Sequence, residues 1–258
     1  MNHNLIDFDM SIGRQKPVTM FQEKTHCPFC DREHLTGIID REDSIILLRN
    51  KYNVLKGTEQ FVLIESDACH SDMPDYSKEH MQKLICFGIR HWQEMLRSGL
   101  YEDVLFFKNF GPLSGGTIRH PHMQLIGLPK LESPLAVHPE EFAGPVIYAN
   151  NQVQMTISAH PHIGFWELNL IMDACTAASL ATLANYIQLG TDYLTRHFHN
   201  GCHSYNIFFY HQEQKLFVKL IPRFATPPLF IGYNIRIRPA NYQDIVKEFH
   251  SIYGCSAE

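Results

Sequence analysis

The stretch His120-Pro121-His122-Met123-Gln124 places two imidazoles and a carboxamide at alternate positions. With Leu125-Ile126-Gly127-Leu128 behind it, the spacing predicts a strand that shows His120, His122 and Gln124 on one face. Such a face is either the solvated side of a half-buried strand or a reactive surface. Gly115-Gly116-Thr117, just before it, favours the second, because the N–H groups of a glycine turn can approach a phosphate closely, beside an imidazole able to attack it. A second cluster stands upstream. Cys27-Pro28-Phe29-Cys30 carries two thiols at a spacing that suits joint binding of one zinc ion. The redox alternative for this motif wants an apolar helix after it, and Asp31-Arg32-Glu33-His34 supplies none. The polar loop 65–72 offers His70 as a third ligand. No second Cys-x-x-Cys exists, and Cys69, Cys86, Cys175, Cys202 and Cys255 stand apart.

These groups need a scaffold to position them. Apolar runs at 44–48, 60–64 and 104–107, bounded by turn-forming residues, predict buried strands. Between the second and third, apolar residues recur at helical spacing from 77 to 100, with Ser77 as cap and Gly99 near the stop. The remainder repeats the order: strands at 152–158 and 165–171, a helix over 176–199, a hairpin of 205–210 with 216–221, and a last helix over 242–253. Residues 1–25, with Arg14, Lys16 and Lys24, show little periodicity and are expected to drape over the domain. A second His-Pro-His, at His160-Pro161-His162, has no glycine turn before it and reads as a surface connection.

The chain has 258 residues, 45% of them hydrophobic and 19% charged, enough to bury a core in one large domain or two small ones. A formal charge of −5 argues against general binding to nucleic acid or an anionic membrane, so any phosphate site must be local. The start lacks the pattern of a secretion signal and no run reaches the length of a membrane span, which predicts a cytoplasmic protein. Seven cysteines fit free thiols and metal ligands better than a disulfide framework.

Taken in order, Cys27-Pro28-Phe29-Cys30, Asn50-Lys51-Tyr52, His70, Asn109, Gly115-Gly116-Thr117 and His120-Pro121-His122-Met123-Gln124 resemble galactose-1-phosphate uridylyltransferase, in the histidine-triad (HIT) superfamily. The likeness is close over the first half and holds in outline over the second. It implies an α+β, HIT-like fold built as a tandem pseudo-repeat, an antiparallel half-barrel sheet with helices on one face, divided at 1–135 and 136–258. It implies one structural zinc on Cys27, Cys30, His70 and His120. It makes His122 the nucleophile and Gln124 a phosphate-oxygen ligand. Asn109, Gly115, Gly116 and Thr117 become further phosphate contacts, and Asn50 a nucleoside contact.

The implied activity is transfer of a nucleoside monophosphate between a nucleotide sugar, a UDP-sugar first, and a sugar 1-phosphate, as in galactose metabolism. Phosphorolysis of another nucleotide or nucleotide sugar, or zinc-stabilised nucleotide binding without turnover, are the alternatives; a homodimer is a further implication. Glutamine in place of a third histidine agrees with this, since neither leaving group of such an exchange needs a proton. Three departures stand in the second half. Phe217-Val218-Lys219 replaces a His-x-His, so no second metal site is expected. Asn234, after Phe230-Ile231-Gly232-Tyr233, replaces an acidic residue, and Pro227-Pro228 replaces a lysine, which leaves the sugar acceptor open.

Overall fold

The computed structural model describes residues 4–20, 26–198 and 201–255; Lys24 and the end of the expected helix at residue 199 lie outside them. The chain is α+β and splits into two compact units, Met1–Asp75 with Lys83–Ala136, and Tyr76–Gln82 with Val137–Glu258. Among the described residues, no helix is long and apolar enough to cross a membrane.

The first unit opens with the short helix α1 (Met10–Gly13) and continues through β1 (Ile38–Glu42), β2 (Ile45–Arg49), β3 (Glu59–Ile64), α2 (Lys78–Arg97, of which the residues from Lys83 on belong to this unit), β4 (Asp103–Phe110) and β5 (His122–Leu128). Its sheet is antiparallel in the order β1-β2-β3-β5-β4. The β2 sequence is apolar without alternation because both of its faces are buried. Ile46 and Leu48 join Phe29, Val62 and Ile64 in one core cluster, against which Cys27, Leu35 and Ile118 pack. Their neighbours Ile45 and Leu47 point to the other face.

Helix α2 begins after Ser77, whose Oγ accepts the His80 N–H at 3.1 Å, and buries Met81, Leu84, Ile85, Ile89 and Trp92. The chain leaves the helix through Gly99 at φ 69°. Gly88 keeps α2 tight on the sheet, since a Cβ there would lie 2.7 Å from the Phe106 ring.

The second unit repeats the plan with β6 (Val146–Ala149), β7 (Val153–Ile157), β8 (Leu168–Met172), α3 (Ala177–Asp192), β9 (Tyr205–Gln212), β10 (Lys215–Pro222), α4 (Pro228–Tyr233) and α5 (Asp244–Tyr253). Its strand order is β6-β7-β8-β10-β9. Thr176 and Ser179 form a capping box at the start of α3.

Three expected elements differ in extent. The strand expected to show His120, His122 and Gln124 on one face begins at His122, and His120, before it, turns to the cysteines while His122 and Gln124 line a cavity. The helix expected over 176–199 ends at Asp192, and a wider π-helical turn, Tyr193–His197, follows it. The strand expected from Phe165 begins at Leu168. Gly164 and Phe165 take positive φ values of 130° and 70°, and buried Glu167 accepts the His162 and Ile163 N–H groups at 2.8 and 3.0 Å. A carboxylate that closes a local turn leaves those residues no extended ladder to join. His160-Pro161-His162 lies in that turn, between β7 and β8, as a connection.

Each unit buries a lysine. Lys108 of β4 is fully buried, with Nζ 2.5 Å from Glu65 Oε1 and 3.3 Å from Asp72 Oδ1. Desolvation works against its charge, and the two carboxylates outweigh it and raise the ammonium's pKa. Lys108→Met should therefore leave Glu65 and Asp72 buried without their counter-charge and cost about 3–5 kcal/mol. Urea unfolding measures this, and a loss under about 1 kcal/mol would show that water already screens the triad.

Candidate metal centre and phosphate-binding cavity

Four donor atoms converge where the N-terminal segment, the loop after β3 and the start of β5 meet. Cys27, Cys30, Cys69 and His120 bring their ligand atoms within 4.8 Å of one another. His120 Nδ1 lies 3.7 Å from Cys27 Sγ and 3.5 Å from Cys30 Sγ. With Zn–S near 2.3 Å and Zn–N near 2.05 Å, the S to N edge of a tetrahedron is about 3.6 Å. The observed separations match that edge.

The opposite ring atom, His120 Nε2, lies 2.9 Å from the Ser66 carbonyl, so it donates there and leaves Nδ1 unprotonated and turned to the sulfurs. Burial, then the neighbouring Cys30 and Cys27, push the Cys69 thiol up to about 12. A divalent cation at the centre reverses that penalty, because it stabilises all three thiolates together. The residues thus fit one closed, four-coordinate metal ion of zinc type.

This corrects one expected ligand. The donor from the loop is Cys69, and its neighbour His70 is exposed and outside the cluster. A shift of one residue along an irregular loop reverses which side chain faces inward, and spacing alone does not fix that direction.

The same strand carries the second feature. His122 Nδ1 lies 2.8 Å from the His120 carbonyl, to which it donates. Its Nε2 is then the lone-pair nitrogen. Burial, with the fields of Lys108 and Lys16 acting the same way, lowers the pKa of the imidazole to about 4, so it is neutral at neutral pH. Phe29, inside the Cys-x-x-Cys knuckle, meets both histidine rings edge-on, with centroids 5.9 Å from His120 and 5.4 Å from His122.

His122 and Gln124 line a cavity of about 540 Å³ together with Asn50, Asn109, Gly115, Gly116 and Thr117. All the non-metal site residues expected from the sequence therefore share one space. Its size suits a ligand of nucleotide scale. Gly115 sits at φ 89°, a backbone state that the turn demands of glycine. Gly116 runs close to Asn109, where an added Cβ would come within 3.3 Å of the Asn109 Cβ.

The N-terminal segment is stitched onto this turn by the Thr19 and Met20 N–H groups, which both donate to the Thr117 carbonyl at 2.9 and 3.1 Å, and by Arg119 N–H to Thr19 Oγ1 at 3.0 Å. That stitching brings half-buried Lys16 into the cavity wall, while exposed Arg14 is not part of it. At the mouth, Asp31 and His34 are 2.6 Å apart. Cys69 and Phe29 are the residues that sequence reasoning missed. The only signal for Phe29 is its place between two ligands.

Two family models cover the chain: the N-terminal domain of DUF4931, a domain of unknown function, matches residues 8–131, and its C-terminal domain matches residues 135–254. A solved DUF4931 family protein from Bacillus cereus ATCC 10987 is similar at 38% identity, over 84% of this chain and 99% of that chain, with a TM-score of 0.75. A uridylyltransferase structure is similar at 14% identity, over 90% of this chain and 92% of that chain, with a TM-score of 0.71. An ADP-glucose phosphorylase from Arabidopsis thaliana, solved with bound ADP-glucose, is similar at 17% identity over 92% of each chain, with a TM-score of 0.69. At these identities the last two share the fold with this chain. No curated protein matches its sequence.

The metal assignment predicts one tightly held zinc per chain by elemental analysis. Cys69→Ser should lose most of that zinc together with thermal stability, while His70→Ala should keep both. The reverse pattern would return the ligand role to His70.

Proposed function

This chain belongs to the DUF4931 family, and from its cavity we propose that it is a nucleotidyltransferase that works by double displacement through His122. The observation that carries the reading is a neutral, buried imidazole whose Nδ1–H is tied to the His120 carbonyl, in a cavity that also holds a glycine turn and a carboxamide. His122 Nε2 attacks the α-phosphorus of a nucleotide sugar. The P–N bond forms as the bond to the sugar 1-phosphate breaks, and that phosphate departs as a stable anion without a proton. A second phosphate then attacks the nucleotidyl-histidine and restores the imidazole.

The other residues take roles that fit this cycle. The Gly115, Gly116 and Thr117 backbone, with Asn109, cradles phosphate oxygens. Gln124, whose carboxamide has no partner among the described residues, donates to the transferred phosphate, and as a neutral amide it cannot supply a proton to a leaving group. Asn50 meets the nucleoside. A zinc ion on Cys27, Cys30, Cys69 and His120 would supply rigidity and no chemistry at phosphorus, because all four positions are taken by protein.

A uridine diphosphate sugar is the first donor to test. The acceptor is a hexose 1-phosphate, as in the uridylyltransferase reaction, or inorganic phosphate. The second is favoured by the segment that the resemblance assigns to the hexose phosphate, where Asn234 stands in place of an acidic residue and Pro227-Pro228 in place of a lysine.

Incubation with α-labelled UDP-glucose and ADP-glucose, followed by denaturation in base, should yield an acid-labile protein phosphoramidate. His122→Ala should abolish the label with its zinc content unchanged. If neither these donors nor a wider nucleotide panel labels the protein, a zinc-stabilised binding protein is the correct reading. With a labelling donor in hand, His122→Gly should regain part of the half-reaction when free imidazole is added. Rescue falls far short of the parent, because a tethered group reaches effective concentrations on the order of 10⁵ M. Wild-type rates in His122→Gly without imidazole would place the nucleophile elsewhere.

A further inference from the structure

We propose that Cys30 and Cys69 form a peroxide-reactive thiol pair, whose oxidation to a disulfide expels the bound metal and disturbs the His122 cavity through Phe29. The oxidation rests on the metal cluster alone; its effect on the cavity rests on the reading given for His122.

The argument starts from the fourth donor. An imidazole at that place would complete a zinc site of two thiolates with a net charge of zero, whereas Cys69 makes it three thiolates and leaves one negative charge. The extra charge makes the sulfurs better nucleophiles toward an electrophilic oxygen. Exposure selects the one attacked first: Cys30 is exposed, while Cys27 and Cys69 are half-buried. The Arg32 guanidinium acts electrostatically on Cys30 and is held in place by the Ser44 carbonyl at 3.0 Å and by the Ser66 carbonyl. It is a positive charge set beside the anion that leaves Cys30. Cys69 is poised to resolve the product, since its sulfur and that of Cys30 already lie within 4.8 Å.

The chemistry balances with a hydroperoxide as the oxidant. The Cys30 thiolate attacks the distal oxygen and the O–O bond breaks, giving a sulfenic acid and, after protonation, water or an alcohol. The Cys69 thiolate then attacks the Cys30 sulfur, the S–S bond forms, and the S–O bond breaks to release hydroxide. Two thiolates lose two electrons and the peroxide gains two. Closing the sulfurs to about 2.05 Å takes both out of the ligand set. Two donors, Cys27 and His120, cannot hold zinc tightly.

The mechanical link is Phe29. It is flanked by Cys27-Pro28 and Cys30, it is buried against Ile46, Leu48, Val62 and Ile64, and it lines the cavity and meets the His122 ring. A knuckle drawn toward Cys69 moves that ring.

The test treats the purified, zinc-loaded protein with hydrogen peroxide while a chromogenic chelator reports free zinc, and maps disulfides by mass spectrometry after alkylation. One zinc per chain should be released in step with a Cys30 to Cys69 cross-linked peptide, and dithiothreitol with added zinc should reverse both changes. Cys69→His, which keeps four donors, should release zinc at least tenfold more slowly. The wild-type map alone decides the case should that variant fail to fold. Retained zinc with free thiols, or a Cys27 to Cys30 bridge in place of the expected one, would overturn the proposal. So would equal release from a folded Cys69→His. None of these readouts needs a nucleotide, so they stand or fall separately from transfer at His122.

Discussion

His120 uses three of its atoms on three different tasks, and the rest of the first unit depends on their being compatible. Nδ1 faces the sulfurs, Nε2 donates to the Ser66 carbonyl, and the backbone carbonyl accepts from His122 Nδ1. The first contact fixes the knuckle, the second fixes the loop that carries Cys69, and the third fixes the tautomer of the neighbouring imidazole. The ring is fully buried, so none of these partners can be exchanged for water without cost. The thiol cluster, the loop and the orientation of the His122 ring are therefore set by one residue at the entrance to one strand. This is also why the two histidines, two residues apart, can have opposite duties: one has both nitrogens engaged, and the other has one nitrogen engaged and one left over.

The features that came through from the sequence are those that follow a period or a fixed turn chemistry. Strands β2, β3 and β4 and helix α2 are written in apolar spacing, and Gly115 is required by its positive φ. The order of elements in the two halves gave the repeated architecture. What did not come through depends on neighbours that are distant in sequence. β1 and β6, at the edges of the two units' strand orders, went unread; β1 has no buried residue and so no apolar signature. Phe165 looked like the start of β8 because its chain is apolar, and a single buried carboxylate, Glu167, bends it into a turn.

The metal set shows the same limit at finer scale. The two knuckle cysteines are recognisable because their spacing alone brings them together. The choice between Cys69 and His70 is a matter of loop direction, set by Ser66, which receives hydrogen bonds from both His120 and Arg32. Both candidates are chemically sound zinc ligands. Only the backbone path separates them, and that path is held by contacts spanning more than 30 residues.

The two units place different chemistry at equivalent points of one plan. β5 and β10 hold the same position in their units' strand orders, and both carry polar residues inward. In β10, Lys219 Nζ meets Glu167 Oε2 at 2.9 Å, Asn169 Oδ1 at 2.7 Å and the Glu141 carbonyl at 2.8 Å, and its ammonium lies 4.6 Å from the Phe142 ring centroid. Its capacity for partners is used up by the protein itself. In β5, the Gln124 carboxamide and His122 Nε2 face a cavity and meet no protein partner among the described residues. A buried polar group satisfied from within stabilises a fold, whereas one held rigid at a cavity wall without a protein partner is placed to meet a ligand. The contrast between the two strands is therefore the physical reason to locate function in the first unit, and to read the second, at this strand, as scaffold.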